Sequence, residues 1–319
     1  MYNLLKIPAG LALNFYCRKV TINKRYLLQN NGPLLIAANH PNSFLDAIII
    51  ATLFKNPVYA LARGDVFANK IYTRLLGLLN MMPVYRMSEG TENLEENYTT
   101  FAACQDIFKK DGIVLIFSEG RCINEWHLRK LKKGTARLAI NAWKHNIPLK
   151  VLPLGINYSS FKFFGKNVIL NFGEIITQKD MPPDVANGRN LLSFNLKLEE
   201  QLKNLVVEIH PGDKQKIARI FVVPQPLIKK ILLFIPSTLG WLLHFPIYYS
   251  VVGFLRKRAN DHFDSIVVGL LFILYPFYIL VLTTVLFLVT KNTLSLLLVL
   301  LLPFTAWCHL QLKKQINSS

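Results

Sequence analysis

A histidine and an aspartate suited to acid–base chemistry lie in one short stretch, Ala37 to Asp46, which reads AANHPNSFLD. An imidazole has an unperturbed pKa of about 6.5, so His40 is able to take and return a proton near neutral pH. A carboxylate bound to one ring nitrogen fixes the imidazole tautomer and stabilises the imidazolium. The pair therefore predicts a catalytic general base, His40, with Asp46 as its partner.

The spacing of this pair leaves two interpretations open. On one continuous helix, six positions turn the side chains apart by roughly 240°, so His40 and Asp46 meet only if the helix begins after His40. Pro41 interrupts regular structure and Ser43 is an N-cap candidate, which allows that arrangement. Alternatively, Ser43 to Asp46 is a capping box, in which Asp46 only accepts from the Ser43 amide and His40 is a turn residue.

Short apolar runs that alternate with helical segments surround this stretch. They predict an α/β fold, with a mostly parallel sheet flanked by helices. The predicted strands are Val20 to Asn23, Leu34 to Ala38, Val58 to Ala62, Met81 to Arg86, Ile113 to Phe117, Val151 to Gly155 and Val168 to Phe172. Polar residues recur where strands end, namely His40, Arg63, Arg86 and Glu119. Because ligands of open α/β sheets bind at the carboxyl ends of strands, we expect the site there.

The composition favours a membrane-associated protein. The chain of 319 residues has 37 Lys and Arg against 19 Asp and Glu, a net charge of +18, and 52 % hydrophobic residues. Nucleic-acid binding accounts for the charge but not for the hydrophobicity, whereas a membrane-surface protein with anionic ligands accounts for both. The basic residues are spread along the chain without a recognised module, so no nucleic-acid partner is expected.

Cysteine and histidine usage argues against disulfides and bound metal. The four cysteines are scattered, which indicates a reducing compartment. No second His or Cys accompanies His40, Asp46 and Glu119 to complete a metal-ligand set, so no metal is expected.

The two ends of the chain are predicted to contact the membrane. Residues 1–20 mix apolar and basic residues and read as an interfacial amphipathic segment, followed by a domain over residues 21–225. The C-terminal region, 226–319, contains three apolar segments, at about 231–250, 265–290 and 293–310.

Basic clusters flank these segments and predict the topology. They lie at Lys229-Lys230, Arg256-Lys257-Arg258 and Lys313-Lys314. The positive-inside rule places all of them on the cytoplasmic side. The first apolar segment is then re-entrant, and the other two form a transmembrane hairpin. The protein is thus expected to be an integral membrane protein with its preceding domain on the cytoplasmic face.

Four motifs, in order over roughly residues 20–175, resemble those of the glycerolipid acyltransferase family, which includes glycerol-3-phosphate and lysophosphatidate acyltransferases. They are Asn39 to Asp46, Met82 to Arg86, Phe117 to Arg121 and Val151 to Gly155. Two features differ from the usual pattern. Five residues rather than four separate His40 and Asp46, which resembles the branch that acylates glycerol-3-phosphate and dihydroxyacetone phosphate, and Ser118 replaces a proline.

The resemblance implies a role for each motif. His40 would deprotonate the acceptor hydroxyl as it attacks an acyl thioester, and Asp46 would orient His40. The residues implied in acceptor binding are Arg86, Glu119, Gly120 and Arg121. Asn39, Ser43 and Pro153 would be structural residues near the site.

The implied function is a membrane-bound O-acyltransferase of phospholipid biosynthesis. Its acceptor would be glycerol-3-phosphate or dihydroxyacetone phosphate, with lysophosphatidate as the alternative. The donor, acyl-CoA or acyl carrier protein, is a substrate, so no cofactor is expected. The basic run with Lys130, Lys132 and Lys133, ahead of a predicted helix, suits either the phosphates of coenzyme A or lipid headgroups. Two other classes stay open at this point: a lipid hydrolase, disfavoured because the chain has no GxSxG elbow, and a non-catalytic basic membrane protein.

Overall fold

The computed structural model of the chain describes residues 2–85, 94–182, 187–255 and 261–316. Seven strands of this part of the chain form one sheet in the order β1-β7-β6-β2-β5-β3-β4. The strands are β1 (Cys17–Ile22), β2 (Leu34–Ala38), β3 (Val58–Arg63), β4 (Met81–Val84), β5 (Ile113–Phe117), β6 (Lys150–Tyr158) and β7 (Lys166–Phe172). Only the β6–β7 pair is antiparallel among the described strand pairs.

Helices cover both faces of the sheet, which confirms the predicted α/β class. They are α1 (Tyr2–Tyr16), α2 (Phe44–Leu53), α3 (Lys70–Leu78), α4 (Leu94–Lys109), α5 (Gly134–Lys144), α6 (Asn187–Leu205), α7 (Lys214–Phe221), α8 (Leu227–Leu255), α9 (Phe263–Thr290) and α10 (Leu298–Leu312).

The central strand β2 shows why the sheet is covered on both faces. All five of its residues are buried. Leu34 and Ile36 pack into a core with residues of α1, α2, α8 and α9, whereas Leu35 and Ala37 pack against α4, α5 and α6. Alternate side chains of a strand point to opposite faces, so a strand apolar at every position needs a helical layer on each side.

Strand β6 accommodates Pro153 although it lies between two neighbours. The Val151 amide donates to Ile176, beyond the end of β7, and Pro153 lies on the same side two residues later. Pro153 has no amide hydrogen to donate, but its carbonyl still takes part in the pairing by accepting a hydrogen bond from the Gly173 amide. The predicted structural place of Pro153 thus has a backbone reason.

The N-terminal helix is shorter than the predicted segment. Residues 1–20 were expected to be one amphipathic stretch with a strand from Val20, but the helix ends at Tyr16 and β1 begins at Cys17. Its outward face carries the exposed apolar side chains of Leu4, Ile7 and Leu11. This spacing of three to four residues is that of an apolar stripe on an interfacial helix.

Helices α8 and α9 are each long and apolar enough to cross a membrane. Helix α10 reaches this length together with the 3₁₀ turn before it, as Thr293–Leu312. A short loop at Lys291 and Asn292 joins α9 to the 3₁₀ turn Thr293–Leu297 before α10, as the hairpin interpretation expects. The Asn292 side chain caps that turn by accepting from the Leu294 amide.

The expected re-entrant turn within 231–250 is wrong, because α8 is one continuous helix of 29 residues with Pro236 and Pro246 inside it. Contacts near both of its ends lead to the sheet domain. Before α8, at the end of α7, the Phe221 carbonyl accepts a hydrogen bond from the Asn167 side chain of β7. At the other end, Val251 and Leu255 join the core beside β2. The adjoining basic cluster, residues 256–258, lies outside the described residues.

Candidate active site

The loop between β2 and α2 places His40 and Asp46 side by side. Ser43 occupies the N-cap position of α2 with φ 53° and ψ −135°, a positive φ that residues other than glycine rarely adopt. Its side chain makes no capping hydrogen bond to α2, and its amide donates to Cys122 Sγ rather than to Asp46. The capping-box alternative is therefore wrong, and α2 begins after His40, which permits the pair to meet.

His40 and Asp46 are in direct contact. His40 Nδ1 lies 2.9 Å from Asp46 Oδ2, and Asp46 is fully buried. Since Nδ1 faces the carboxylate, Nε2 is the ring atom available to a substrate hydroxyl. The imidazole also stacks on the Phe117 ring, with centroids 3.7 Å apart and planes 13° apart. The side chain of His40 remains 17 % exposed, so the base is held in place and still reachable.

Two further donors hold the Asp46 carboxylate. The Asn42 amide donates to Oδ2 at 2.8 Å, and the Tyr158 hydroxyl donates to Oδ1 at 2.6 Å. Burial and the nearby Asp46 charge raise the pKa of Tyr158 well above 10, so its hydroxyl keeps its proton. Both carboxylate oxygens are thus fixed, and the imidazole tautomer with a proton on Nδ1 is favoured.

Glu119 connects the histidine loop to a second loop. Its Oε2 accepts from the His40 amide at 3.0 Å and its Oε1 accepts from the Arg129 amide at 2.9 Å. Burial raises the pKa of Glu119 to about 7, although both amides and the Arg129 charge favour the ionised form. The carboxylate acts on the backbone of His40, which gives Glu119 a positioning role in this geometry.

Residues 19–157 match the family model described as Acyltransferase. The chain carries an acyltransferase domain. The acyltransferase family expected from the four motifs is thereby confirmed, and so is the expectation of an enzyme of this class.

The other comparisons add little about individual residues. No curated protein matches the chain in sequence. Among solved structures, the crystal structure of the 1-acyl-sn-glycerophosphate (LPA) acyltransferase PlsC from Thermotoga maritima matches with 14 % sequence identity and a TM-score of 0.42. The match covers 64 % of this chain and 78 % of that chain, and at this distance it assigns no residue role.

The third motif of the acyltransferase domain forms a tight turn after β5. The Gly120 amide donates to the Phe117 carbonyl, and Gly120 has φ +66°, a conformation that favours glycine. Ser118, which stands where a proline is usual, is buried and accepts a hydrogen bond from the Thr135 hydroxyl at 3.0 Å. The serine therefore anchors the turn through its side chain to the start of α5.

Of the basic residues predicted to bind phosphate groups, the structure describes all except Arg86. Arg121 follows the third-motif turn and is exposed. Lys130, Lys132 and Lys133 are exposed on the segment that leads to α5. Arg86, expected to contact the acceptor phosphate, lies outside the described residues. No group of three or more His, Cys, Asp or Glu side chains in the described ranges is placed to hold a metal ion.

Asn39, directly after β2, is held by hydrogen bonds to the backbone of β6. Its side chain accepts from the Ile156 amide at 2.7 Å and donates to the Ile156 carbonyl at 3.0 Å. The Asn39 side chain thus continues the hydrogen bonding to β6 one residue beyond the end of β2. The backbone just before His40 is therefore held in place.

Several residues at the site come from segments that sequence reasoning did not connect with it. Tyr158 lies at the end of β6, and three residues at the start of α9 touch the histidine loop: His262, Asp264 and Ser265. The sequence feature that could have indicated them is their polarity, because Asp264 and Ser265 lie in the first turn of an otherwise apolar helix. Polarity alone does not show which distant loop such residues contact.

Proposed function

We propose that the protein is a membrane-bound glycerolipid O-acyltransferase that transfers a fatty acyl group from an acyl thioester to a hydroxyl of a phosphorylated glycerol. The observation that carries the proposal is the contact of His40 Nδ1 with the buried Asp46 carboxylate, which leaves Nε2 as the ring nitrogen for a substrate hydroxyl within an acyltransferase domain. His40 and Asp46 are its proposed catalytic residues.

The chemistry needs one base and no enzyme nucleophile. His40 Nε2 takes the proton of the acceptor hydroxyl as the oxygen attacks the thioester carbonyl. A C–O bond forms, the C–S bond breaks, and the leaving thiolate takes the proton back from the imidazolium. Asp46 balances the charge of that imidazolium, and such positioned base catalysis contributes about 10²- to 10⁴-fold in rate.

Acceptor binding in this proposal rests on groups near the third motif. Glu119 and Gly120 shape the turn that ends in the exposed Arg121, whose guanidinium is suited to bidentate contact with a phosphate. Arg86 is proposed as a second phosphate ligand from its motif. The spacing of the first motif favours glycerol-3-phosphate or dihydroxyacetone phosphate, and lysophosphatidate is the alternative acceptor.

The donor is proposed to be acyl-CoA or acyl carrier protein. The exposed lysines 130, 132 and 133 give this surface a positive charge, which suits the phosphates of coenzyme A or an acidic carrier protein. The donor is consumed as a substrate, and the reaction as written requires no cofactor.

The proposed membrane placement follows from exposed apolar surface. Large apolar side chains on α8, α9 and α10 face outward, among them Phe234 at 66 %, Phe277 at 63 % and Leu300 at 72 % exposure. We assign α9 and α10 to a transmembrane hairpin, residues 226–319 to the membrane region, and α8 to the interface, because the segment before it and its last turn both contact the sheet domain. The acyltransferase domain is proposed to face the cytoplasm.

A direct assay tests the proposal. The protein purified in detergent is incubated with labelled acyl-CoA or acyl carrier protein and, separately, glycerol-3-phosphate, dihydroxyacetone phosphate or lysophosphatidate. We expect acceptor-dependent ester formation, with a loss of about 10²-fold or more in His40→Ala and Asp46→Ala.

The matched control is His210→Ala, since His210 lies exposed in a turn after α6. It is expected to keep wild-type activity. Free fatty acid released without acceptor would favour the hydrolase instead, and ester formation that survives His40→Ala would contradict the proposed base.

A further inference from the structure

We propose that Ser265 and Asp264, in the first turn of the apolar helix α9, are positioning residues for the catalytic loop, so that the membrane hairpin completes the active site. The inference rests on the proposed function of His40 and Asp46. Both residues lie beyond 19–157, the range that matches the acyltransferase family.

Ser265 caps the helix that carries Asp46. The first amides of a helix have no partner within it, and Ser43 at the N-cap of α2 supplies none from its side chain. Instead, the Leu45 amide donates to Ser265 Oγ at 3.0 Å, and the Ser265 hydroxyl donates to the Asn42 carbonyl at 3.2 Å. One buried hydroxyl thus joins the last loop residues to the first turn of α2.

Asp264 holds the same loop through the Asn42 side chain. Asn42 Nδ2 donates to Asp264 Oδ2 at 2.9 Å, and Asn42, Asp264 and Asp46 are all fully buried. The backbone amide of Asn42 in turn donates to Asp46 Oδ2, the oxygen that contacts His40. A continuous path of hydrogen bonds therefore runs from α9 to the general base.

Asp264 is itself fixed by residues from two other elements. The Tyr16 hydroxyl, at the end of α1, donates to Oδ1 at 2.6 Å, and the buried Lys166 ammonium of β7 pairs with Oδ2. A carboxylate held from three sides moves little, so it is suited to fix the position of Asn42.

These contacts predict a defect in turnover rather than in substrate affinity. Asn42→Ala and Ser265→Ala remove the link without removing any group that touches substrate. We expect kcat to fall about 10- to 100-fold, the size expected for losing one hydrogen bond to a charged or buried group, while KM for donor and acceptor changes by less than about threefold.

The hydroxyl is tested by two substitutions of the same shape. Ser265→Thr keeps the hydroxyl and is expected to retain most of the wild-type kcat, whereas the isosteric Ser265→Val is expected to show the defect of Ser265→Ala. Asn167→Ala is the matched control: Asn167 is equally buried, and its amide donates to Phe221 and Gln315, away from the loop. It is expected to lower thermal stability and leave kcat within about twofold of wild type.

Hydrogen exchange of residues 40–46 gives a readout that does not depend on activity. Exchange should be faster in Asn42→Ala, Ser265→Ala and Ser265→Val than in the wild type, Ser265→Thr and Asn167→Ala proteins. Unchanged exchange with unchanged kcat in Asn42→Ala and Ser265→Ala would overturn the inference. An inactive wild-type protein would overturn the proposed function alone, and the exchange data would still decide whether α9 holds the loop.

Discussion

At the scale of single residues, the site depends on how firmly one carboxylate is held. Asp46 receives the Asn42 amide, the Tyr158 hydroxyl and the His40 ring nitrogen, all within 2.9 Å. Each of these groups is neutral when it donates, so the negative charge of Asp46 remains to stabilise the imidazolium of the proposed reaction. The rate should therefore respond to groups that never touch substrate.

Tyr158→Phe tests this dependence. Removing one hydrogen bond to a charged group costs about 1.5–3 kcal/mol, so kcat should fall by roughly 10-fold or more while the two KM values change little. Steady-state kinetics with donor and acceptor varied in turn measure the effect. Tyr26→Phe, at an exposed tyrosine, is the control and should match wild type. Equal kcat in both variants would exclude a role of Tyr158 in orienting Asp46.

The raised pKa of Glu119 predicts that the stability of the fold depends on pH. Its folded pKa of about 7 lies above the ordinary value of about 4.5 for a glutamate, so between these pH values the folded state binds more protons than the unfolded state. Stability from this group is therefore present below about pH 4.5 and is lost as the pH rises to about 7, by up to about 3 kcal/mol.

Unfolding midpoints of the wild type and Glu119→Gln in one detergent, from pH 4.5 to 8, measure this contribution. The variant should lack the decline that Glu119 causes in the wild type, because glutamine does not titrate. Parallel curves for the two proteins would mean that Glu119 titrates near its ordinary pKa.

At the scale of elements, the helices of the C-terminal region pack closely at defined points. Gly240 of α8 faces α10, where an added Cβ would lie 2.0 Å from the Thr305 carbonyl oxygen and 3.1 Å from His309 Cβ. Gly253 of the same helix has open space around the corresponding position. The two helices thus depend on one small residue for their close approach.

The same substitution at the two glycines gives opposite expectations. Gly240→Ala should lower the free energy of unfolding by about 1–3 kcal/mol, because the clash forces backbone or side chains to move. Gly253→Ala should leave it unchanged or raise it by up to about 1 kcal/mol through higher helix propensity. Thermal unfolding in detergent compares the two, and an equal effect at both positions would contradict the packing described here.

At the scale of the whole molecule, a buried ion pair joins the sheet domain to the long apolar helix α9. Lys166 of β7 and Asp264 of α9 are both fully buried, and burial lowers the pKa of Lys166 to about 7. Residues of α8 and α9 also complete the core face that packs on β2. The C-terminal region is therefore packed into the core of the sheet domain.

Lys166→Met should be strongly destabilising, because it leaves the Asp264 carboxylate buried without its cation. Breaking a buried pair in this way costs about 3–5 kcal/mol. The double variant Lys166→Met with Asp264→Asn removes both charges and should regain much of the lost stability. Unfolding midpoints of the three proteins measure this, and a double variant no more stable than Lys166→Met would contradict charge imbalance as the cause.

Local sequence patterns were sufficient to predict much of this protein. Strands β2 and β5 have the predicted bounds. An uninterrupted apolar run between turn residues indicates a strand whose side chains are buried on both faces of the sheet. A proline-containing loop and a helix start between His40 and Asp46 allowed the two to meet, and the motif resemblance implied that they do. The hairpin loop at Lys291 was visible in the same way.

Tertiary structure alone decided what holds those residues in place. Tyr158 is 112 positions from Asp46 and Asp264 is 222 positions from Asn42, so no local spacing relates them. The single helix α8 was also unpredictable, because prolines that usually end a helix are tolerated where neighbouring helices support it. Sequence periodicity reports which face of an element is buried, whereas the partner on that face depends on how the whole chain folds.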